Sequence, residues 1–139
     1  MYEEGFFGVE ARKIDDKGRI ILPKSFSANP KDKLLFIRKE DYLEICSKSV
    51  VEKKLKELKL LASSANSVEI LKFYERKIDE LFFEVEDMVQ VDSQNRILLG
   101  KRFLGEYPNG TNIVLVGAYD CIRVYTEEKY NQVKSNRKK

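Results

Sequence analysis

The chain has 139 residues, a net charge of +3 and 35% charged residues. This length suits one compact domain, or two closely packed half-domains, with enough apolar content for a core. The absence of histidine excludes Ser–His and Cys–His nucleophile pairs and every zinc site that uses histidine.

The predicted elements begin with a strand over residues 8–14, a tight turn and a second strand over 19–22. A short helical turn at 24–26 and two apolar runs within 34–45, which suggest a hairpin, complete this unit. After a helical connector the same order returns, as strands over 84–91 and 96–99, a helical turn over 101–104 and two apolar runs within 113–124. The chain is therefore predicted to contain one α/β unit twice.

The connector is predicted to form two helices. Ser49 with Glu52 fits a capping box, and apolar residues at helical spacing follow up to Leu61. The segment SSANS at 63–67 interrupts the pattern, and a second helix is predicted from about Val68 to Phe82. Such apolar stripes are typical of packing in a core or a helix hairpin. The basic tail, residues 134–139, is expected to be frayed.

The repeat is visible in the letters themselves. Residues 15–26 read DDKGRIILPKSF and residues 92–103 read DSQNRILLGKRF, at a constant offset of 77. The match continues at an offset of 79 between residues 34–45 and 113–124. A fixed offset indicates an internal structural repeat. The predicted domains are a first repeat (1–49), a helical connector (50–82), a second repeat (83–128) and a C-terminal helix end with the basic tail (129–139).

Each repeat carries the pattern D-x-x-x-R, as Asp15 with Arg19 and Asp92 with Arg96. The residue before the arginine is glycine in one copy and asparagine in the other, the two residue types that best tolerate positive φ. The aspartate can accept hydrogen bonds from turn N–H groups or hold the arginine in a charge-assisted pair. If the pattern occurred once, a purely structural hairpin with an ion pair on the surface would be enough to explain it. An arginine kept in both copies favours a function.

The local charge favours a reader of phosphates or bases. Residues 12–24 contain five basic and two acidic side chains, and residues 96–102 contain three basic and none acidic. A basic strip in a chain of modest net charge is typical of nucleic-acid binders.

The two cysteines, Cys46 and Cys121, lack a C-x-x-C pattern and are predicted to be buried reduced thiols. The N-terminus does not read as a signal peptide, and no apolar run approaches a membrane span. A cytoplasmic protein without a membrane, metal or cofactor is therefore expected.

The two motifs, Asp15-x-x-x-Arg19 followed by IILP and Asp92-x-x-x-Arg96 followed by ILLG, strongly resemble those of the MraZ family. The resemblance covers both repeats and the connector. It departs at Asn95, where glycine is usual, and at Gly100, where the first copy has a proline (Pro23). A missing first-turn proline is expected to loosen that helix start, so that the two motifs contribute unequally.

The resemblance implies two pseudo-symmetric AbrB-like (SpoVT–AbrB) swapped-hairpin halves that share a β-barrel-like core. It also implies a sequence-specific transcriptional regulator that binds double-stranded DNA at repeated boxes in the promoter of the division and cell-wall gene cluster. A location in the cytoplasm and nucleoid and assembly as a homo-oligomeric ring, an octamer or larger, are implied as well. The expected DNA-binding residues are Arg19, Arg96, Lys17, Lys24, Lys101 and Arg102. The expected motif organisers are Asp15, Asp92, Gly18 and Asn95.

Two alternatives stay open on the sequence alone. One is a protein-interaction or antitoxin-like module of the swapped-hairpin fold, which the apolar helix faces would serve. The other is a small magnesium nuclease using Asp15, Asp16 and Asp92, although the sequence has no Gly-rich phosphate loop.

Overall fold

A computed structural model describes residues 6–24, 26 and 33–137. The first half contributes the strands β1 (Phe6–Lys13), β2 (Arg19–Ile21), β3 (Lys33–Arg38) and β4 (Leu43–Ser47). The connector forms the helices α1 (Lys48–Ser63) and α2 (Val68–Glu84). The second half contributes β5 (Val85–Gln90), β6 (Arg96–Leu98), a 3-10 helix (Lys101–Phe103), β7 (Asn112–Tyr119), β8 (Cys121–Thr126) and the helix α3 (Glu127–Arg137). The predicted α/β class is confirmed, and the strands of the second half follow in the same order as those of the first. The helix α3 continues into the segment that was expected to be frayed.

Six strands form one antiparallel sheet in the order β1-β7-β8-β4-β3-β5, and β2 pairs with β6 as a separate ribbon. Exchanging each strand with its counterpart in the other half only reverses this order. The first strand of each half pairs with the third strand of the other half, since β1 lies beside β7 and β5 beside β3. The two halves therefore interlock, as two closely packed half-domains should.

The expected barrel-like core is not found as a closed barrel among the described residues. The strands β1 and β5 are the two edges of the six-stranded sheet. Each strand of the ribbon has only three residues and pairs with the other across its full length. Such a short ribbon covers one face of the sheet without joining its edges, so the result is two layers.

The main core lies between the ribbon and the sheet. Ribbon-side contributors include Ile20, Leu22, Ile97 and Leu99, and sheet-side contributors include Phe36, Ile45, Leu115 and Ile122. All are buried, and the rings of Phe36 and Phe103 meet edge to face with centroids 5.3 Å apart. Removal of this apolar surface from water is the main force that holds the ribbon on the sheet.

Both connector helices begin at a serine cap. The α1 cap is Ser47, whose hydroxyl accepts a hydrogen bond from the backbone N–H of Val50 at 3.3 Å, so the predicted cap at Ser49 was wrong. Ser47 and Ser49 are two residues apart and offer the same chemistry, which explains the error. The α2 cap is Ser67, and the predicted break between the helices is confirmed.

The apolar faces of the two helices contribute little to the core of the chain. No residue of α1 is buried, and Leu81 is the buried residue of α2. Of the two kinds of packing predicted for these stripes, the helix hairpin is confirmed, because α1 and α2 contact each other. Packing into the core is limited to a few residues, such as Leu81 of α2 and the partly buried Val50 and Val51 of α1. The side chains left exposed include Leu60, Val68, Phe73, Phe82 and Phe83. None of the described helices has the length and apolar character to cross a membrane.

The cysteines also differ from expectation. Cys46 and Cys121 are buried as predicted, but they form a disulfide rather than separate thiols. They are separated by 75 residues in sequence and yet face each other across the β4–β8 pair. Only the pairing between the halves brings them together.

Candidate nucleic-acid interface

The first D-x-x-x-R turn is organised by the Asp15 carboxylate. One of its oxygens accepts hydrogen bonds from the backbone N–H groups of Lys17 (2.9 Å) and Arg19 (2.8 Å). The other accepts from Nε of Arg19 at 2.7 Å. A backbone hydrogen bond from the Asp15 N–H to the Arg19 carbonyl closes the hairpin. Asp15 therefore fixes both the turn and the base of the arginine side chain.

The second turn repeats this arrangement. One oxygen of Asp92 accepts from the backbone N–H groups of Gln94 (2.8 Å) and Arg96 (2.9 Å), and the other accepts from Nε of Arg96 at 2.8 Å. The agreement extends to the backbone hydrogen bond that closes the hairpin. The two aspartates, which the sequence predicts to be motif organisers, thus make the same hydrogen bonds in both halves.

These hydrogen bonds lower the pKa of both carboxyl groups. The backbone N–H of Arg19 is the largest influence on Asp15 and lowers its pKa. For Asp92, desolvation is the largest single influence and raises the pKa, but the backbone and side-chain hydrogen bonds from Arg96 outweigh it. Both carboxylates therefore stay ionised near neutral pH and keep their arginines paired.

Residues with positive φ close both turns, as predicted. Gly18 has a φ of 80° and Asn95 a φ of 59°. Asn95 also makes contacts that glycine cannot, because its side-chain amide donates to the carbonyls of Leu22 (3.2 Å) and Pro23 (3.4 Å) in the other half. The departure at Asn95 therefore adds a link between the two motifs.

The ribbon places the two turns at opposite ends of one short β pair. Its register sets Ile20 opposite Ile97, Arg19 opposite Leu98 and Ile21 opposite Arg96. Since successive side chains of a strand point to opposite faces, the buried isoleucines define the inner face. The outer face carries Arg19, Ile21, Arg96 and Leu98, with Ile21 and Leu98 more than half exposed. Two arginines thus share one exposed surface, which we call the arginine ribbon.

The remaining predicted cations surround these turns in sequence but differ in their partners. Lys17, Lys24 and Lys101 are exposed. Arg102 is exposed too, but its guanidinium donates to the backbone carbonyl of Glu86 and lies 3.9 Å from the Glu86 carboxylate. Arg102 is therefore already engaged with β5, unlike the three lysines.

The glycine that replaces a proline does not disturb the second motif in the folded chain. Gly100 has a φ of −73°, close to the value that a proline ring imposes. The N–H of Phe103 bonds to the Gly100 carbonyl at 3.1 Å, as the N–H of Phe26 does to the Pro23 carbonyl at 3.0 Å. The loosened helix start expected from the sequence is thus not seen.

Two further residues support the first turn, and the sequence did not predict their individual roles. Nε of Arg12 donates to the Ile21 carbonyl at 3.1 Å and ties β1 to the ribbon. The side-chain amide of Asn109 donates to the Asp16 carbonyl at 2.9 Å. Arg12 was visible in the sequence only as part of a basic run, and Asn109 only as part of the turn signal Pro-Asn-Gly.

The turns do not gather carboxylates for a metal ion. Asp15 and Asp92 are each paired with the arginine of their own turn. Within the described part of the chain, the group of metal-ligating side chains that comes together is Glu44, Cys46 and Cys121, elsewhere in the fold. The ribbon thus has the chemistry of a cationic, donor-rich surface with an apolar centre, which suits an anionic polymer with base edges.

Comparison with known proteins finds a family model in the second half of the chain and relatives along most of its length. Residues 82–139 match the family model described as "MraZ protein, putative antitoxin-like". A "Transcriptional regulator MraZ" of Prosthecochloris aestuarii is 29% identical, with 93% of this chain and 89% of the relative covered. Proteins of the same name from Mesomycoplasma hyopneumoniae and Mycoplasmopsis pulmonis are 29% and 27% identical, covering 91% and 90% of this chain and 82% and 81% of the relatives.

The class of protein is therefore a duplicated α/β chain with two aspartate-organised arginine turns on one ribbon. The family model covers the second half, and the relatives cover nearly the whole chain. These matches support the MraZ family for this chain.

Proposed function

We propose that this protein is a sequence-specific DNA-binding transcriptional regulator that reads base edges with Arg19 and Arg96. The observation that carries the proposal is the placement of both arginines on one exposed ribbon face, each held at Nε by its own aspartate. The names of the relatives support regulation of transcription.

The proposed contact uses the ends of the two guanidinium groups. The side-chain hydrogen bonds of both arginines engage Nε, and their terminal nitrogens have no partner among the described residues. A guanidinium presents a planar fork of donors that matches O6 and N7 of guanine. Because aspartate already fixes the base of each fork, less rotamer freedom is lost on binding than for a free arginine. A two-stranded ribbon also fits the width of the major groove.

Exposed lysines would position the ribbon on the DNA backbone. Lys17 and Lys24 of the first half and Lys101 of the second are exposed and near the motifs in sequence. Ammonium groups contact phosphates without reading sequence, and they make binding dependent on salt. Arg102 is proposed for the same role, which would require it to leave Glu86.

The finer architecture is proposed on the same basis. Pairing of β1 with β7 and of β5 with β3 supports an AbrB-like swapped-hairpin arrangement, with the boundaries 1–49, 50–82, 83–128 and 129–139. Large exposed apolar side chains on α1 and α2 support a homo-oligomer, because contiguous apolar surface of this kind commonly marks an interface. We propose a ring, an octamer or larger, located in the cytoplasm and on the nucleoid.

A ring would explain how weak single contacts give tight binding. Several protomers that engage repeated boxes on one DNA act at high effective concentration, so their affinities multiply. The proposed target is the promoter of the division and cell-wall gene cluster. The antitoxin-like or protein-interaction alternative rests on the same exposed helix faces, which could hold a different protein.

The test is DNase footprinting and affinity measurement on the DNA upstream of the protein's own gene, with masses of free and bound protein. Arg19→Ala and Arg96→Ala should each cost about 1–3 kcal/mol per engaged box and relax sequence preference. Because the two turns have the same hydrogen bonds, similar losses are expected for both, in place of the unequal losses suggested by Gly100.

Matched controls separate base reading from general charge. Arg76→Ala removes an exposed arginine from α2, and Lys59→Ala an exposed lysine from α1, both away from the ribbon in the fold. Lys24→Ala and Lys101→Ala should weaken binding to all DNA sequences to a similar degree and reduce the dependence of the affinity on salt. If folded Arg19→Ala and Arg96→Ala protect the same boxes as the parent protein with equal affinity, the base-reading role is wrong. A protein that protects no upstream box and leaves DNA intact with Mg²⁺ would favour the interaction module.

A further inference from the structure

The centre of the sheet contains a buried polar group away from the arginine ribbon. The strands β4 and β8 are the middle pair, and they meet with Glu44 opposite Arg123 and Cys46 opposite Cys121. Glu44 and Arg123 occupy equivalent positions in the two repeats, at the offset of 79. A pseudo-two-fold axis therefore passes between them.

The cysteine pair breaks the symmetry about this axis. At the offset of 79, the counterparts of Cys46 and Cys121 are Tyr125 and Tyr42, whose rings contact each other with centroids 5.2 Å apart. One side of the axis thus has two sulfur atoms where the other has two aromatic rings. Core-facing neighbours such as Leu43 and Ile122 keep their apolar character in both halves. The sulfur pair is accordingly a local feature of one side, and not a by-product of the repeat.

Three side chains with metal-ligating atoms come together at this point of the sheet. One carboxylate oxygen of Glu44 and the two sulfur atoms lie within 4.8 Å of one another. Glu44 is 8% exposed, Cys46 1% and Cys121 3%. The Cα atoms of the cysteines are 4.6 Å apart, the separation of a non-hydrogen-bonded antiparallel pair, in which side chains approach most closely. Two thiolates on a tetrahedral Zn²⁺ are about 3.8 Å apart, which such a pair can reach.

Charge is balanced in either state of the cysteines. In the disulfide form, Glu44 lies opposite Arg123 across the β4–β8 pair, and their opposite charges cancel. In the dithiol form, a divalent cation would neutralise two thiolates and leave the Glu44–Arg123 balance unchanged. A buried site needs such neutrality, because an uncompensated charge would be strongly destabilising there. Nε of Arg123 is buried and has no hydrogen-bond partner among the described residues, so this polar cluster is incompletely satisfied.

We propose that Glu44, Cys46 and Cys121 form a binding site for Zn²⁺ in the dithiol form of the protein, as an alternative to the disulfide. Thiolate sulfur selects soft cations, and a carboxylate oxygen is a further ligand type that zinc accepts. A water molecule would take the fourth position. The ion, like the disulfide, would join β4 of the first half to β8 of the second.

The change between the Zn²⁺-bound dithiol and the disulfide balances in protons and electrons. Binding of Zn²⁺ by the dithiol releases the two thiol protons and forms two Zn–S bonds. Oxidation requires a small-molecule disulfide. One cysteine thiolate attacks it and releases one thiolate, and the second cysteine then attacks the mixed disulfide and releases the other. The free dithiol loses two electrons and two protons, whereas the Zn²⁺-bound form loses two electrons and the Zn²⁺ ion. In both cases the oxidant is reduced to two thiols, which take any missing protons from the solvent.

The experiment uses the full-length protein, reduced without oxygen and titrated with Co²⁺ and then with Zn²⁺ against a chromophoric chelator. We expect one Co²⁺ per chain with a thiolate-to-cobalt charge-transfer band, which Zn²⁺ abolishes. Protein oxidised with glutathione disulfide should bind neither ion at this site. Glu44→Gln should lower the Zn²⁺ affinity by at least the roughly 10–100-fold that loss of an outer-shell partner costs.

Controls keep the test independent of folding. Glu40→Gln changes an exposed carboxylate in the β3–β4 connection and should bind Zn²⁺ like the parent protein. Glu44→Gln preserves shape and both cysteines, so it carries the test if Cys46→Ser or Cys121→Ser fails to fold by circular dichroism. A reduced, folded parent protein without the charge-transfer band overturns the proposal. Equal Zn²⁺ binding by the oxidised protein, or by folded Glu44→Gln, also overturns it.

Discussion

Replacing Gly100 by proline should stabilise the protein, although no contact is added. Gly100 already has a φ of −73°, within the range of a proline ring, and none of the hydrogen bonds among the described residues is donated by its N–H. A Cβ at this position would lie 3.6 Å from Oδ2 of Asp87, an ordinary contact. The preceding residue, Leu99, donates its N–H to Gly18 as Leu22 donates to Asn95, so the backbone before the site matches that before Pro23.

The expected gain comes from the unfolded state. A proline that fits its native conformation stabilises by about 0.4–1 kcal/mol, because the unfolded chain has fewer conformations to lose. For a chain of this length, this corresponds to a rise in melting temperature of about 1–4 °C. Urea unfolding should show a higher midpoint with an unchanged slope. Protein concentration must be held constant, since an oligomer's stability depends on it.

The repeat supplies its own control. Pro23→Gly makes the reverse change in the first half and should cost more than this amount, because Pro23 is buried and the contacts of its ring are lost as well. The stability of the double variant, Pro23→Gly with Gly100→Pro, should equal the sum of the two single changes within about 0.5 kcal/mol if the two sites are independent. A loss of more than about 1 kcal/mol in Gly100→Pro would refute the reasoning, because it would mean that the native turn requires glycine itself.

Three further predictions concern the turns and the core. Gly18→Ala should destabilise by about 1–2 kcal/mol in urea unfolding, since φ is positive there, whereas Gly105→Ala, with no neighbour near its Cβ, should be nearly neutral. The lowered pKa values of Asp15 and Asp92 contribute stability that is full well above the ordinary pKa of 3.8 and is lost as pH falls through the folded values, so Asp15→Asn with Asp92→Asn should flatten the acid limb of a stability–pH curve. Burial raises the pKa of Tyr107 to about 12, so its contribution should be full below pH 10 and lost as pH rises toward 12. Tyr107→Phe should remove that alkaline loss and cost about 0.5–1.5 kcal/mol at neutral pH, because the Tyr107 hydroxyl donates to the Val124 carbonyl.

The local structure could be predicted from the sequence because the repeat displays each element twice. Two sequences that differ at Gly18 and Asn95 but share the aspartate and arginine leave few conformations for the turn. Positive φ at both positions could therefore be predicted from the residue types alone. The aspartate-to-arginine hydrogen bond followed from the spacing of charged groups around the same turn.

The features that could not be predicted from the sequence depend on contacts between segments that are distant in the chain. The cross-pairing of β1 with β7 places Cys46 against Cys121, and nothing within either segment reports it. The apolar stripes of α1 and α2 left both burial and exposure open, since such a stripe looks the same in the sequence whether its partner is the same chain or another. The helix cap predicted at Ser49 was wrong because Ser47, two residues earlier, offers the same hydroxyl chemistry.

The two repeats are equivalent at the arginine ribbon but differ at the centre of the sheet. The pseudo-two-fold axis passes through Ile20 opposite Ile97 in the ribbon and through Glu44 opposite Arg123 in the sheet. At the ribbon, the arginines and the bonds that hold them are equivalent, as a surface that meets a two-fold-related pair of DNA half-sites would need. At the sheet centre, sulfur faces sulfur on one side and tyrosine faces tyrosine on the other. Because that pair lies on the sheet face away from the main core, chemistry there can change while the geometry of the arginine ribbon is retained.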